Sequence, residues 1–272
     1  MQHLEIESPE ALRSLIKCFW YTSIEFADGQ SNFEVVPDGY AELIFHFGSP
    51  CSIGSDTGLK PLPSPFLVGL LNQPIHFYSQ NRLEIIGVRC FPWTVFDLLG
   101  LPSGKDGVRT VEHPVARLQA TLAELVRVGN IDEALAQVAA YFLAMQSPTS
   151  DDKTLNKAGA AMRQANGTLP VSQVAAAAHA TVRTLERKFR QAAGHTVKDV
   201  SALIRFEQVR DSLWHDPDTK LAGLAHELGY TDQAHLSREF KRYTGTTPGA
   251  FARKTKRARE ALGSDFVVFV QS

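Results

Sequence analysis

"LGYTDQAHLSREFKRYTG", from Leu228 to Gly245, has a weaker copy earlier in the chain, "AHATVRTLERKFRQAAG", from Ala178 to Gly194. In each copy a leucine and a phenylalanine stand four residues apart, with polar and basic residues between them. On a helix this spacing puts both apolar side chains on one face and leaves the other face for solvent or a partner. We therefore expect the chain to use one helical unit twice.

Each copy is preceded by a shorter segment with apolar residues at helical spacing, which starts near Val174 in the first copy and Leu224 in the second. A first helix that holds a second at a fixed angle is the helix-turn-helix arrangement, whose second, recognition helix enters the major groove of DNA. Between the copies, "VKDVSALIRFEQVRDSLWHDPD" predicts one long connecting helix that stops at Asp216-Pro217. A separation of about 34 Å, one turn of DNA, would let both recognition helices enter successive major grooves.

The exposed faces of the two recognition helices carry side chains that suit DNA. Arginine can donate two hydrogen bonds to guanine, and glutamine can pair in the same way with adenine. The predicted base-contacting residues are Arg183, Glu186 and Arg187 in the first copy and Gln233, Ala234, His235 and Arg238 in the second. Hydroxyls at a helix start and basic residues further along favour phosphate contacts. The predicted phosphate-binding residues are Thr181 and Thr231, which should begin the recognition helices, and Lys188, Arg190, Lys241 and Arg242.

Charge is distributed unevenly along the chain, although the formal net charge is −1. Residues 152–261 hold 19 Lys and Arg against 11 Asp and Glu, a balance of +8. The remaining residues hold 9 against 18, a balance of −9. A basic segment that coincides with the helical repeat favours a polyanionic partner, which we expect to be a double-stranded DNA operator.

The first third of the chain has a different pattern. From Cys18 to Cys90, short β-branched and aromatic runs such as "AELIFHFG" alternate with turn segments such as "GSPCSIGSDTG", which is typical of antiparallel strands. We expect roughly six to eight strands in a small, cupin-like barrel or a two-sheet sandwich. Two amphipathic helices should follow, in "VEHPVARLQATLAELVRV" and "NIDEALAQVAAYFLAMQ", and either pack on their own domain or form a dimer seam.

Together these patterns predict an α+β chain of two domains. Residues 1–146 should form a β-rich sensor or dimerisation domain with C-terminal helices, and residues 147–153 a linker. Residues 154–261 should form an all-α DNA-binding domain with two helix-turn-helix motifs joined by the long helix. The tail, residues 262–272, is apolar and strand-like. We expect it to pack on a sheet of this chain or of a dimer partner, because exposed apolar strands promote aggregation.

The segment "LAHELGYTDQAHLSREFKRYTGTTPGAF", Leu224 to Phe251, resembles the AraC/XylS family of transcription regulators, and "LIRFEQVRDSL" resembles the family's connecting helix. The resemblance covers Leu169 to about Lys254 and implies a seven-helix DNA-binding domain. It also implies that the usual base-contacting positions of the family are occupied here by Arg183, Arg187, Gln233 and Arg238. The first copy departs further from the family pattern, since His179 stands where a glycine is usual and Val197 where a proline is usual.

The N-terminal part of the chain also shows a resemblance to a known domain. "VPDGYAELIFHFG" (36–48) and "GVRCFP" (87–92) are similar to an uncharacterised sensor domain that precedes such DNA-binding domains. A sensor would bind a small-molecule effector in an aromatic-lined site with a few polar groups and so change the DNA-binding state. The candidate ligand-binding residues are Glu42, His46, His76, Arg89 and Trp93. The alternative is a constitutive regulator whose N-terminal domain only dimerises or contacts a protein partner such as RNA polymerase.

Several other functions find no support in the sequence. No P-loop, dinucleotide-binding or nucleophile-elbow motif occurs, so we do not expect an enzyme. The three cysteines, Cys18, Cys51 and Cys90, lack metal-ligand spacing, so we expect reduced thiols, no metal and no other cofactor. No apolar run approaches the ~20 residues of a membrane span, and the acidic, polar start is unlike a signal peptide. We expect a cytoplasmic homodimer without a membrane partner.

Overall fold

A computed structural model of the protein describes residues 2–55, 58–101, 107–145 and 153–262. The expected linker, apart from its last residue, and the expected tail beyond residue 262 lie outside the described residues. The described part of the chain consists of a strand-rich region up to residue 145 and a helical region from residue 153.

The strand-rich region is one antiparallel sheet of eight strands. The strands are β1 (Gln2–Glu7), β2 (Ile16–Val35), β3 (Ala41–Gly48), β4 (Ser52–Ser55), β5 (Gly58–Pro61), β6 (Phe66–Val68), β7 (Ile75–Cys90) and β8 (Val108–Thr110). Their order is β1-β2-β7-β3-β6-β8, and β4 pairs with β7 and β5. The long strands β2 and β7 form the centre of the sheet. The expectation of an antiparallel β-rich region is confirmed.

The expectation of a closed barrel is wrong, because the sheet is open. Within the described residues, the path of paired strands ends at β1 on one side and at β8 on the other. A sheet does not need to close when other elements cover its apolar faces. Here two helices, α2 (Leu118–Arg127) and α3 (Ile131–Met145), share an apolar cluster with one sheet face. In that cluster the rings of Phe19 and Phe142 lie 6.3 Å apart.

The sequence left open whether α2 and α3 pack on their own domain or form a dimer seam, and in the structure they pack on their own domain. Their buried residues, Leu122, Val126, Leu135, Val138 and Phe142, pack on the sheet of their own chain. The exposed side chains of Val128 and Leu143 lie outside this packing. Dimerisation of the chain stays a prediction.

The helical region contains seven helices among its described residues, as the resemblance implied. They are α4 (Thr154–Gln164), α5 (Val171–Ala177), α6 (Val182–Ala193), α7 (Val197–His215), α8 (Leu221–Glu227), α9 (Gln233–Thr244) and α10 (Pro248–Leu262). One further helix, α1 (Thr94–Leu99), follows β7. The pairs α5–α6 and α8–α9 are the two predicted helix-turn-helix units, and α7 is the predicted connecting helix.

Local hydrogen bonds explain where the recognition helices begin and end. The Thr181 side chain accepts a hydrogen bond from the Thr184 N–H at 3.1 Å and caps α6. Asp232, and not Thr231, caps α9, because its carboxylate accepts from the His235 N–H at 2.6 Å. Both helices end at a left-handed glycine, the usual C-terminal signal.

The two regions of the chain share packing. The apolar cluster of the helical region includes Leu70 and Trp93 from the strand-rich region. The two-domain division at residues 147–153 remains a prediction, but the structure places the two regions in contact.

Candidate nucleic-acid interface

The first unit exposes a basic surface along α6. Leu185 and Phe189 are buried, whereas Arg183 and Arg187 are exposed. A depression with a volume of about 530 Å³ is lined by Arg183, Thr184, Glu186, Arg187 and Arg190. Arginines of this helix therefore surround one depression that a phosphate or a base edge can enter.

Glu186 and Lys188, two of the predicted DNA-contacting residues of this unit, are less available than expected. The Glu186 side chain is only 20% exposed, and its carboxylate lies 3.7 Å from Nη2 of Arg190. Lys188 is half-buried. Glu186 therefore neutralises a neighbouring arginine on its own helix, while Thr181, Arg183, Arg187 and Arg190 remain exposed.

The second unit presents Gln233, Ala234 and Arg238 on the exposed face of α9. His235 lies differently: its Nδ1 accepts a long hydrogen bond, 3.4 Å, from the Thr231 N–H. The His235 ring also meets the Tyr230 ring edge to face, at 5.3 Å between centroids. His235 is therefore tied to the turn before α9, and the other ring nitrogen, Nε2, is left to carry the proton.

The predicted phosphate-binding residues at the end of α9 are both exposed. Lys241 and Arg242 lie in the last turn of the helix. The guanidinium carbon of Arg242 stacks 4.4 Å from the centre of the Tyr243 ring, and the two side chains are hydrogen bonded. Arg242 is thereby held against a buried tyrosine while its cationic group stays at the surface.

The candidate ligand residues of the strand-rich region do not form one site. Glu42 and Arg89 are cross-strand neighbours on β3 and β7, and Nε of Arg89 donates to Glu42 at 2.7 Å. Asp38 adds a second carboxylate 3.5 Å from the Arg89 guanidinium. Burial raises the pKa of Glu42, and the positive charge of Arg89 opposes that shift. Glu42 and Arg89 therefore form an ion pair with each other.

The other three candidates lie at separate places. His46 is held by the Leu62 carbonyl, 3.2 Å from its Nε2, and burial lowers its pKa. His76 is partly exposed and lies 3.9 Å from a carboxylate oxygen of Glu34. Trp93 is buried among residues of the helical region.

Trp93 belongs to a contact between the two regions that the sequence did not reveal. Its ring lies 5.4 Å from that of Phe91 and 6.1 Å from that of Phe189 on α6. It also packs closely against Gly159 of α4, since a methyl group there would come within 2.1 Å of the indole. Next to it, Nε2 of His195 lies 3.2 Å from the Leu70 carbonyl oxygen.

An arginine of α4 extends this contact. The guanidinium of Arg163 lies 4.4 Å from the centre of the Tyr40 ring and 4.7 Å from that of Phe91. Its Nη1 donates to the Tyr40 hydroxyl at 3.0 Å and lies 3.5 Å from the Glu207 carboxylate on α7. Burial raises the pKa of Glu207 to about 8. The segments around Tyr40 and Phe91 are those that resemble a sensor domain, so this part of the motif serves the contact with α4, α6 and α7.

Comparison with known proteins agrees with this geometry. A helix-turn-helix domain model of the AraC type matches residues 174–254, which include both recognition helices. Residues 174–254 therefore carry a helix-turn-helix domain of the AraC type. A second model, a domain of unknown function called DUF6597, matches residues 4–107, most of the sheet.

One curated relative is the transcriptional regulator RipA of Corynebacterium diphtheriae, which is 32% identical over 82 residues. That match covers 30% of this chain and 24% of RipA, so the chain spans about a quarter of the length of this relative.

Solved structures of similar shape include ToxT of Vibrio cholerae with an unsaturated fatty acid bound, at 10% identity and TM-score 0.43, covering 85% of this chain and 93% of ToxT. An AraC-type regulator of Chromobacterium violaceum matches at 21% identity and TM-score 0.35, covering 40% of this chain and 95% of that protein. At these TM-scores the likeness is too loose to transfer a site or a ligand.

Neither a membrane span nor a metal-binding cluster is found among the described residues. None of their helices combines the length and the apolar character needed to cross a membrane. The same part of the chain holds no group of three or more His, Cys, Asp or Glu placed to bind a metal ion.

Proposed function

We propose that this protein is a sequence-specific DNA-binding transcription regulator that reads two neighbouring segments of an operator, one with α6 and one with α9. The observation that carries the proposal is the exposed arginine at the equivalent position of each recognition helix, Arg187 and Arg238. Each stands two residues after a buried leucine, on a helix with its own N-cap and glycine terminus. Both arginines therefore project from equivalent places on two similar units.

The proposed roles of the other residues follow from their exposure. Arg183 and Gln233 join the two arginines as base-reading residues, with Ala234 in apolar contact. Thr181, Arg190, Lys241 and Arg242 are placed for phosphate contacts. Glu186 and Lys188 are assigned supporting roles because their side chains are partly buried. Thr231 and His235 are assigned supporting roles because the Thr231 N–H donates to the His235 ring in the turn before α9.

A DNA-selection assay with the full-length protein tests this function. Randomised duplex would be incubated with the protein, and the retained DNA sequenced. We expect two enriched segments about one helical turn, roughly 10 base pairs, apart. The double variant Arg187→Ala/Arg238→Ala should lose the enrichment, whereas Arg127→Ala, an exposed arginine of α2, serves as the control. Enrichment that survives the double variant would refute the proposed readers.

We further propose that the strand-rich region controls the first unit, in response to a small-molecule effector. Support comes from the direct contact of Trp93 with Phe189 on α6 and of Tyr40 with Arg163 on α4. The contact is also incompletely satisfied. Nε1 of Trp93 and both Nε and Nη2 of Arg163 are buried, and none finds a hydrogen-bond partner within the described ranges. Each unpaired donor costs about 1–3 kcal/mol, so the contact is held weakly enough for a bound effector to change it.

Tyr40→Phe is a mild test of this control, because it removes only the hydroxyl that accepts from Arg163. A net hydrogen bond of ~0.5–1.5 kcal/mol corresponds to about a 2- to 10-fold change in a two-state population. We expect the effector-free variant to bind the operator tighter by that factor, with the change confined to the segment read by α6. Tyr141→Phe, on α3, is the matched control. Unchanged affinity in both Tyr40→Phe and Trp93→Phe would favour a constitutive regulator instead.

A further inference from the structure

The connecting helix carries a side chain that joins the loop before the first helix-turn-helix unit to the second unit. Nη1 of Arg205, on α7, donates to the Gly167 carbonyl at 3.0 Å, in the loop between α4 and α5. Nη2 of the same guanidinium lies 3.9 Å from a carboxylate oxygen of Glu239 on α9. Its carbon lies 5.4 Å from the centre of the Tyr230 ring, in the turn before α9. Arg205 therefore links the loop ahead of the first helix-turn-helix unit to the second recognition helix.

This link is largely shielded from water. The side chains of Arg205 and Glu239 are 16% and 12% exposed, and Tyr230 is 6% exposed. Burial raises the pKa of Tyr230, and the neighbouring charge of Glu239 raises it further. Charges in such surroundings are weakly screened, so the three side chains hold one another in place.

Glu239 stands next to the proposed reader Arg238, on a different side of the helix. Successive residues of an α-helix project about 100° apart, and here Arg238 is exposed while Glu239 is turned towards α7. Fixing the Glu239 side chain therefore fixes the rotation of α9 about its axis, and with it the direction of Arg238. In α6 the position equivalent to Glu239 is Lys188, so a glutamate–arginine link of this kind is built at this helix position of the second unit alone.

We propose that Arg205 is a positioning residue for DNA recognition by the second unit. It touches no base in this scheme; it sets the orientation of α9 relative to the first unit and so determines which base pairs Arg238 and Gln233 reach. The inference rests on the proposed DNA-binding function and assigns a residue outside both recognition helices to specificity.

The test uses full-length Arg205→Lys and Glu239→Gln, which change the link while keeping side-chain size close to the original. Affinity would be measured by fluorescence anisotropy at one salt concentration on three duplexes. These are the selected operator, the operator with its α9 segment randomised, and the operator with its α6 segment randomised. Arg210→Lys is the matched control, since Arg210 lies on the same helix and pairs with its neighbour Asp211 at 3.0 Å.

We expect both variants to lose about 10- to 100-fold in operator affinity, the equivalent of one good bidentate base contact. On the duplex with a randomised α9 segment, the variants and the wild type should bind with the same affinity. When DNA selection is repeated with the variants, the selected sequence should be less specific in the α9 segment only. A purely structural role would instead weaken binding to all three duplexes and lower the melting temperature of the protein.

Three outcomes overturn the proposal. One is unchanged operator affinity and unchanged selected sequence in both variants. Another is an equal loss on all three duplexes. The third outcome concerns Arg238→Ala, which is measured in the same experiment. If Arg238→Ala binds the operator as tightly as the wild type does, α9 does not recognise the operator, and both the proposed function and the positioning role are refuted. If Arg238→Ala weakens binding and Arg205→Lys does not, the positioning role alone is refuted.

Discussion

The two helix-turn-helix units present similar outer faces but differ in what holds their inner faces. In the first unit, Phe189 of α6 packs against Trp93 from the strand-rich region. In the second, Glu239 of α9 and the preceding Tyr230 are held by Arg205 of the connecting helix. The repeat therefore conserves the reading surface while its buried side is adapted to different neighbours. The first unit contacts the strand-rich region, whereas the second is held by the connecting helix of the helical region.

The largest expected effect comes from truncating the buried phenylalanine of each recognition helix. Phe189→Ala and Phe240→Ala should each lower the free energy of unfolding by about 3–5 kcal/mol, because both side chains are fully buried. They should differ in their coupling to Trp93. A double-mutant cycle with Trp93→Ala should give a coupling of ~0.5–1.5 kcal/mol for Phe189 and none for Phe240. Urea unfolding measures both values, and equal couplings would remove the distinction between the units.

A buried arginine–glutamate pair between α4 and α7 extends the comparison to pH dependence. Glu207, which faces Arg163 near the first unit, has its pKa raised to about 8 by burial. In the unfolded chain its carboxyl titrates near 4.5. Between these values the folded state keeps a proton that the unfolded state has released, so this contribution to stability is full below about pH 4.5 and is lost as the pH rises to about 8.

Glu207→Gln should therefore flatten the stability profile of the protein over that range. The difference from wild type should grow towards alkaline pH, with an upper bound of roughly 4 kcal/mol. Chemical denaturation at several pH values measures it, and the exposed Glu112→Gln is the control. A variant that tracks the wild type from pH 5 to pH 8 would show that Glu207 is ionised in the folded protein and paired with Arg163.

The sequence predicted the helical region well because its signals are local. Helix periodicity, a capping residue and a terminal glycine all lie within a few residues of the helix they define. The one local error concerned Thr231, which stands beside Asp232; both can cap a helix, and only the folded turn shows that Asp232 does so.

The sequence predicted the strand-rich region less completely because its decisive contacts are distant in the chain. Whether β1 pairs with β8 to close the sheet depends on the curvature of the sheet and on the elements that cover each face. The residue pattern of a single strand determines neither of these. The same reason explains the site. Trp93 was expected to line a ligand site and instead packs on α4 and α6, while Arg205 and Glu239 lie on separate helices without any shared motif.

Base recognition should separate the units at intermediate magnitude. Arg187→Ala and Arg238→Ala should each cost about 1–3 kcal/mol of operator binding, because each removes one bidentate donor. Each should relax specificity in its own segment alone, and repeated DNA selection with each single variant shows where the consensus is lost. Lysine keeps the positive charge of arginine but lacks its bidentate guanidinium group. Arg187→Lys and Arg238→Lys should therefore bind DNA non-specifically as the wild type does, but should not regain sequence specificity. Relaxation of both segments by one variant would mean that the two units are read as a single surface.

The smallest effect concerns the turn within each unit, where the same backbone conformation is met by different residues. His179 has φ +51° in the first unit, and Gly229 has φ +69° in the second. A left-handed conformation costs a residue with a side chain roughly 1–2 kcal/mol, part of which glycine returns through its freedom in the unfolded chain. His179→Gly should therefore raise the free energy of unfolding by up to about 1 kcal/mol, and Gly229→Ala should lower it by about 1 kcal/mol. A methyl group at Gly229 would meet only Thr168, at 3.7 Å, an ordinary contact, so any cost measured by urea unfolding reports the backbone. Stabilisation by His179→Gly would show that the first unit carries strain that the second avoids, whereas a loss of stability would assign the His179 side chain a contact that outweighs its backbone cost.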